Sequence, residues 1–273
     1  SLQLTSEDKV KKTFQIDGKT SARLLAKYRR PVVLFEPDEL RLLSSSPERR
    51  RRFFDAMLAR LYPEYATILA RYQRILLQRN ELLKRRDQTP EKAWLDHLFT
   101  WDLRLAETAR QITELRRDFV LTSNQTIGQL YSQIADAPHI IHATYQSSIP
   151  SDNHEQKILD RLHRDTLADS YRGYTGVGPH RDDFAVYLDS HLASETASRG
   201  EMRTIMLAYK LLEVNLQQEL SGHPPLILMD DVFSELDTQR EIHLMRALSD
   251  HQTIITATDL RDELKITASR IEL

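Results

Sequence analysis

Two carboxylates, Asp230 and Asp231, close the run Pro225-Leu226-Ile227-Leu228-Met229. Four apolar residues in series predict a strand buried on both faces. Ligands of open α/β sheets bind beyond the carboxyl ends of the strands. A carboxylate there can hold Mg²⁺, directly or through water, while the ion bridges nucleotide phosphates. Its neighbour can polarise or position an attacking water. Alone the pattern is ambiguous, because a strand ending in Asp-Asp also serves to cap the next helix.

Its companions narrow the choice. About thirty residues upstream stands Ala197-Ser198-Arg199-Gly200-Glu201-Met202-Arg203-Thr204. A hydroxyl, a nearby glycine and a helix start are the parts of an anion site. The same residues also spell a capping box, with Ser198 as N-cap and Glu201 at the third position, and both readings can hold together. Downstream, Phe233-Ser234-Glu235-Leu236-Asp237 follows the carboxylates directly. Thr256-Ala257-Thr258-Asp259 closes a later strand, where a polar switch residue could face a γ-phosphate.

Three further features have bland alternatives. Gly18-Lys19-Thr20 looks like the tail of a phosphate loop, G-x-x-x-x-G-K-[ST]. Its first glycine would fall at Thr13, however, and Thr13 to Ile16 reads as a strand entering an Asp17-Gly18 hairpin turn. The densest basic clusters are Arg49-Arg50-Arg51-Arg52, Lys84-Arg85-Arg86 and Arg116-Arg117. Such arginines can neutralise DNA phosphates without reading bases, or pair with Glu48, Glu81, Glu91 and Glu114 on a solvated face. His180, Asp182 and Asp183 stand close together, but adjacent residues of a strand point to opposite faces, which disfavours one shared metal. The segment from Gly178 to Asp183 therefore reads as a turn entering a strand.

The elements that must position these groups fall into three zones. Residues 1–43 read as short strands, with Pro31 to Phe35 a buried one. Residues 44–136 are helical: Tyr65, Ile68, Leu69, Tyr72, Ile75 and Leu76 share a face, as do Trp94, Leu98, Trp101, Leu105, Ile112, Leu115 and Phe119. Two long helices joined around Asp87-Gln88-Thr89-Pro90 would pack antiparallel. Residues 137–273 resume strands at His139–Tyr145, Phe184–Leu188, Leu226–Met229 and Thr253–Thr256, with helices over Asp152–Tyr171, Met202–Leu220 and Asp237–Ser249. The predicted fold class is α/β, a head interrupted by an inserted all-helical arm. With 38 basic and 40 acidic residues, the chain has no global basic bias. It has no cysteine, which excludes disulfides and thiolate metal sites and is compatible with the cytoplasm. No run approaches the ~20 apolar residues of a membrane helix.

In this order and spacing the motifs resemble an ABC-type ATPase head, as in the SMC, Rad50 and RecF proteins. Within that group the details resemble the RecF family. Leu226 to Asp237, "LILMDDVFSELD", is similar to its aspartate strand and D-loop, and Gly178 to Asp183 to its "GPHRDD" block. Phe35 to Leu40 with Pro47 to Asp55, and Tyr72 to Asn80, resemble two further family segments. The likeness runs in order through essentially all 273 residues. Glu201 departs from it, since RecF proteins usually carry Gln there.

The resemblance implies ATP and Mg²⁺ as cofactors and a weak ATPase acting as a dimerisation switch. Asp230 would be the Mg²⁺-linked carboxylate and Asp231 the partner of the hydrolytic water. Ser198, Gly200 and Glu201 would form the signature motif that meets nucleotide on the opposite subunit of an ATP-closed homodimer. Asp237 would face that subunit, and Thr258 takes the place of a switch histidine. It further implies binding of double-stranded or gapped DNA, through Arg49, Arg50, Arg51, Arg52, Arg85 and Arg86, and cooperation with RecR and RecO in loading RecA. The family's phosphate loop lies upstream of the matched part, so an N-terminal segment is expected to be missing and the chain alone to bind ATP weakly or not at all. Alternatives are another SMC- or Rad50-like head, or a fragment that binds DNA or protein without nucleotide.

Overall fold

A computed structural model of the chain describes residues 2–4, 10–16, 18–22, 30–88 and 90–257. Near the start, β1 (Leu2–Leu4) pairs with β2 (Val10–Lys12), and β3 (Phe14–Ile16) with β4 (Lys19–Ser21), all antiparallel. Gly18 takes φ +75°, so Lys19 and Thr20 continue a hairpin strand instead of opening the helix a phosphate loop requires. Asp17 lies outside the described residues.

The sheet that carries the two carboxylates is parallel, in the order β10-β9-β5: β5 (Val32–Phe35), β9 (Leu226–Asp230) and β10 (Thr253–Thr256). The chain joins β9 to β10 through α10 (Thr238–Ala247), as a parallel pair requires. One face is buried through Val33, Phe35, Ile227 and Met229. The expectation of strands covered on both faces is corrected here. Side chains alternate along a strand, and Val32 and Leu34 on the other face remain 39% and 38% exposed.

Beside this sheet runs α9 (Arg199–Ser221), buried almost continuously from Thr204 to Val214. Its start is fixed by the capping box: Ser198 Oγ accepts from Glu201 N at 3.2 Å, and the Glu201 carboxylate accepts from Ser198 N at 2.7 Å. It stops at Gly222, which takes φ +69°.

The helical segment comprises α1 (Pro37–Leu40), α2 (Pro47–Leu61), α3 (Pro63–Lys84), α4 (Glu91–Ser123) and α5 (Ile127–Ala135). As the two apolar stripes predict, α3 and α4 pack as an antiparallel hairpin. In the same segment, α2 and α5 pack against α9, and one apolar core runs from Val33 to Leu248. A second sheet, β6 (Ile141–Gln146), β7 (Asp183–Leu188) and β8 (His191–Leu192), is antiparallel. The single helix expected over Asp152–Tyr171 is two, α6 (His154–Arg164) and α7 (Thr166–Arg172), because Asp165 leaves helical geometry between them. α8 (Ala193–Thr196) leads into the Ser198 cap. No described helix is long and apolar enough to cross a membrane.

Candidate nucleotide site

At the carboxyl end of β9 the Asp230 side chain is exposed, and its Oδ1 accepts a 2.6 Å hydrogen bond from Thr256 Oγ1 on the neighbouring β10. The next residue, Asp231, adopts φ +49°, a left-handed conformation that aspartate tolerates better than most residues. That turn ends the strand, so Asp231 does not simply alternate to the opposite face. Its N–H donates to the Thr256 carbonyl at 3.0 Å. Ser234 Oγ donates to the Asp231 carbonyl at 2.7 Å and lies 3.1 Å from its carboxylate. Parallel pairing and one left-handed residue thus place two carboxylates and two hydroxyls at one sheet edge.

The start of α9 is tied to the same edge. Glu235, four residues past Asp231, pairs with Arg203 of α9 and with Arg41 at 2.5 Å. Arg240 of α10 donates from Nε to Thr204 Oγ1 at 2.7 Å and pairs with Asp237, whose carboxylate also caps α10 through Arg240 N at 2.9 Å. Gly200 packs against the Arg240 guanidinium, which a Cβ there would meet at 3.4 Å, an ordinary van der Waals contact. Hydrogen bonding to Ser198 holds the Glu201 carboxyl below its ordinary pKa. The start of α9 is thus tied, through Arg203 and Arg240, to Glu235 and Asp237, which follow the Asp230–Asp231 strand end. Thr258 lies outside the described residues.

Away from this edge, sequence reasoning missed a buried polar network. Arg79, fully buried on α3, donates to Asp102 Oδ1 at 2.6 Å, Asp169 Oδ2 at 3.0 Å and Thr175 Oγ1 at 2.8 Å. Asn80 accepts from Thr175 N at 2.8 Å. Arg116 of α4 donates to both oxygens of Asp55, at 2.9 and 2.8 Å, and to the Pro179 carbonyl at 2.7 Å. Tyr145 donates to Asp182 at 2.6 Å. The segment from Gly178 to Asp183 is thus a junction between helices and β7. Its one sequence signal was Arg79 itself, seven residues after Tyr72 and four after Ile75, on the apolar face of the helix.

No family model matches the chain. Among curated proteins, "DNA replication and repair protein RecF" of Trichodesmium erythraeum is 33% identical over 281 residues, covering 95% of this chain and 72% of that protein. The Agathobacter rectalis protein of the same name is 36% identical over 234 residues, covering 86% of this chain. This chain belongs to the RecF family. It spans 63% of the length of the RecF proteins of Agathobacter rectalis and Clostridium botulinum. A solved structure described as the recombination mediator protein RecF-ATP in the RecFOR pathway superposes with a TM-score of 0.75 at 28% identity, over 85% of this chain and 62% of the other. Its RecF-ATPrS counterpart gives 0.76 at 25% identity, over 94% and 74%. The α/β fold is therefore that of the RecF structures.

In this RecF-family chain the predicted DNA-contacting arginines occupy different environments. Arg49 and Arg85 are exposed and form no ion pair among the described residues. Arg52 pairs with Glu48 at 3.0 Å across one helical turn. Arg50 is clamped by Asp183 and the Ser45 carbonyl, and Arg51 donates to the Asp182 carbonyl at 2.6 Å. Arg86 lies over the Trp94 and Tyr171 rings at 5.8 and 5.6 Å.

The carboxylates also suit the cation that the family implies. No three His, Asp or Glu side chains gather closely enough to hold a metal among the described residues. Mg²⁺ does not require that, since one or two carboxylates, water and nucleotide phosphates complete its shell. Asp230 offers an exposed carboxylate whose second oxygen takes no hydrogen bond among the described residues.

Proposed function

We propose that this chain forms part of an ATP-gated DNA-binding protein of recombinational repair and replication, a weak ATPase that uses nucleotide as a switch for dimerisation. The observation that supports this reading is the set of contacts tying the capped start of α9 to the residues that follow the Asp230–Asp231 strand end, Arg203 with Glu235 and Arg240 between Thr204 and Asp237. Bound Mg²⁺ would neutralise charge on the nucleotide phosphates. Asp230, the Walker B carboxylate in this reading, would hold that ion, and Asp231 would orient the hydrolytic water. Ser198 and Gly200, with the N–H groups at the start of α9, would meet the γ-phosphate held by a second subunit. Asp237 would face that subunit, and Thr258 would stand in the place of a switch histidine.

In the same reading the DNA partner is a duplex bordering a single-stranded gap. Arg49, Arg52 and Arg85 would supply phosphate contacts, while Arg50, Arg51 and Arg86 would hold the helices in place. Cooperation with RecR and RecO in loading RecA, as part of the response to DNA damage, completes the proposal. The test compares DNA binding with and without ATP and Mg²⁺, in this chain and in a longer version carrying a phosphate loop. ATP-dependent binding and dimerisation gained only by the longer protein is the expected result. Equal, ATP-insensitive binding by both would overturn the switch and leave a nucleotide-independent basic arm.

A further inference from the structure

Between α3 and α4, on the outer side of the helical hairpin, lies an open groove of about 1090 Å³. On α3 it runs from Ala66 to Gln78, thirteen residues or roughly 18 Å of helix. Its floor is apolar: Ala66 and Ala70 leave a hollow between the helices, and Ile75 and Trp101 close it. Its rim is cationic, formed by Arg71, Arg74 and Arg104, and no Asp or Glu lines it. Arg71 reaches Glu107 outside the groove at 3.3 Å. Arg74 and Arg104 are exposed and have no carboxylate partner among the described residues; Arg104 lies over the Trp101 ring at 5.4 Å.

We propose that this groove binds an acidic peptide segment of a protein partner, its carboxylates meeting Arg74 and Arg104 and its apolar side chains filling the hollow over Ala66 and Ala70. Charge complementarity selects the sign of the occupant, since two guanidinium groups stand uncompensated at the rim. The apolar floor selects its type. Arginine is well suited to carboxylates, which it grips bidentately, and an amphipathic segment uses floor and rim at once. Duplex DNA does not fit, because the axes of packed helices lie about 8–10 Å apart and the duplex presents its phosphates on a wider convex surface. A single strand would need successive aromatic platforms, whereas the groove has one tryptophan with a guanidinium already over its ring. This inference does not depend on nucleotide binding at the sheet edge.

The experiment titrates the chain into a fluorescein-labelled peptide of alternating Asp or Glu with Leu and Phe, read by fluorescence anisotropy. Micromolar binding is expected. The double variant Arg74→Glu/Arg104→Glu should weaken it by about tenfold or more. Ala70→Phe, which fills the hollow without changing charge, should also weaken it. The charge-matched control Lys92→Glu/Arg246→Glu, outside the groove, should leave it unchanged, and circular dichroism establishes that each variant folds. The proposal is overturned by absence of peptide binding, by binding indifferent to Arg74, Arg104 and Ala70, or by an oligothymidylate that displaces the peptide and binds the groove more tightly.

Discussion

The Tyr72 hydroxyl lies 2.6 Å from His180 Nδ1, and the opposite ring nitrogen lies 3.0 Å from the Thr175 carbonyl. A carbonyl only accepts, so Nε2 carries the ring proton and Nδ1 accepts from the tyrosine. Both nitrogens are engaged, and burial favours the neutral ring. Burial pushes its pKa down to about 4, with Arg181, Arg51 and Arg116 adding to the effect and the Thr175 hydrogen bond opposing it.

The sign of the resulting pH dependence follows. Between about 4 and the ordinary histidine value near 6.5, the unfolded chain binds more protons than the folded one. The contribution of His180 is complete above about pH 6.5 and is lost as pH falls towards 4. His154, pushed to about 4 by burial, acts in the same window. Asp102 and Asp182, raised by burial, act in the opposite sense, so a comparison of proteins is required. The urea midpoint of His180→Gln should vary less with pH across this window than that of the unsubstituted chain. Identical slopes would remove His180 from the account.

Gly178 has φ +126°, and a Cβ built on it would stand 2.6 Å from the Tyr72 hydroxyl oxygen. Two penalties therefore attend Gly178→Ala: a backbone conformation that L-residues rarely adopt, and a collision with a hydroxyl fixed by His180. The expected loss is about 2 kcal/mol or more in urea unfolding. Adding Tyr72→Phe removes the colliding oxygen but leaves the backbone term, so the double variant should be more stable than the sum of the two losses. Strict additivity would mean that the collision contributes nothing.

Arg79 is the sole cation that touches both Asp102 and Asp169 at hydrogen-bonding distance among the described residues. Arg79→Met would leave two buried carboxylates without it, a loss of about 3–5 kcal/mol. Arg79→Lys keeps the charge but not the planar fork that reaches two carboxylates and Thr175, so it should restore less than half of that. Urea denaturation of the two variants decides the matter. A loss near zero for Arg79→Met would show that the carboxylates are neutral or hydrated in the fold.

Sequence legibility followed the range of the physics. The Ser198–Glu201 box is a three-residue relationship, and it formed as read. The α3–α4 hairpin followed from apolar spacing within each helix, and the hairpin at Gly18 from a turn that defeats a phosphate loop. Contacts between distant segments were not legible: Arg79 meets partners 23, 90 and 96 residues away, and no periodicity encodes them. The apolar run Leu226–Met229 misled for a related reason. Composition reports what a face could bury, while Val32 and Leu34 on the adjacent strand are more than a third exposed. At the strand end, the pair Asp230–Asp231 was visible, but the left-handed turn at Asp231 and the Thr256 hydrogen bond to Asp230 belong to the tertiary fold.

Arg240 offers the sharpest test of the proposed switch, because it touches both the α9 start and the Asp237 turn. Its Nε is held by Thr204, a buried residue whose hydroxyl also bonds the Gly200 carbonyl, and another nitrogen by the half-exposed Asp237 carboxylate. Arg240→Met should therefore cost this chain less than about 1 kcal/mol in urea unfolding. In a longer version carrying a phosphate loop, one subunit would still bind a fluorescent ATP analogue with unchanged affinity. The capped start of α9 and the Asp237 turn would no longer move as a unit, so ATP-dependent dimerisation, measured by analytical ultracentrifugation, should weaken by about tenfold, equivalent to about 1.4 kcal/mol. Unchanged dimerisation would detach Arg240 from the switch. A stability loss above about 3 kcal/mol would instead make it a structural support, since exposed ion pairs alone do not contribute that much.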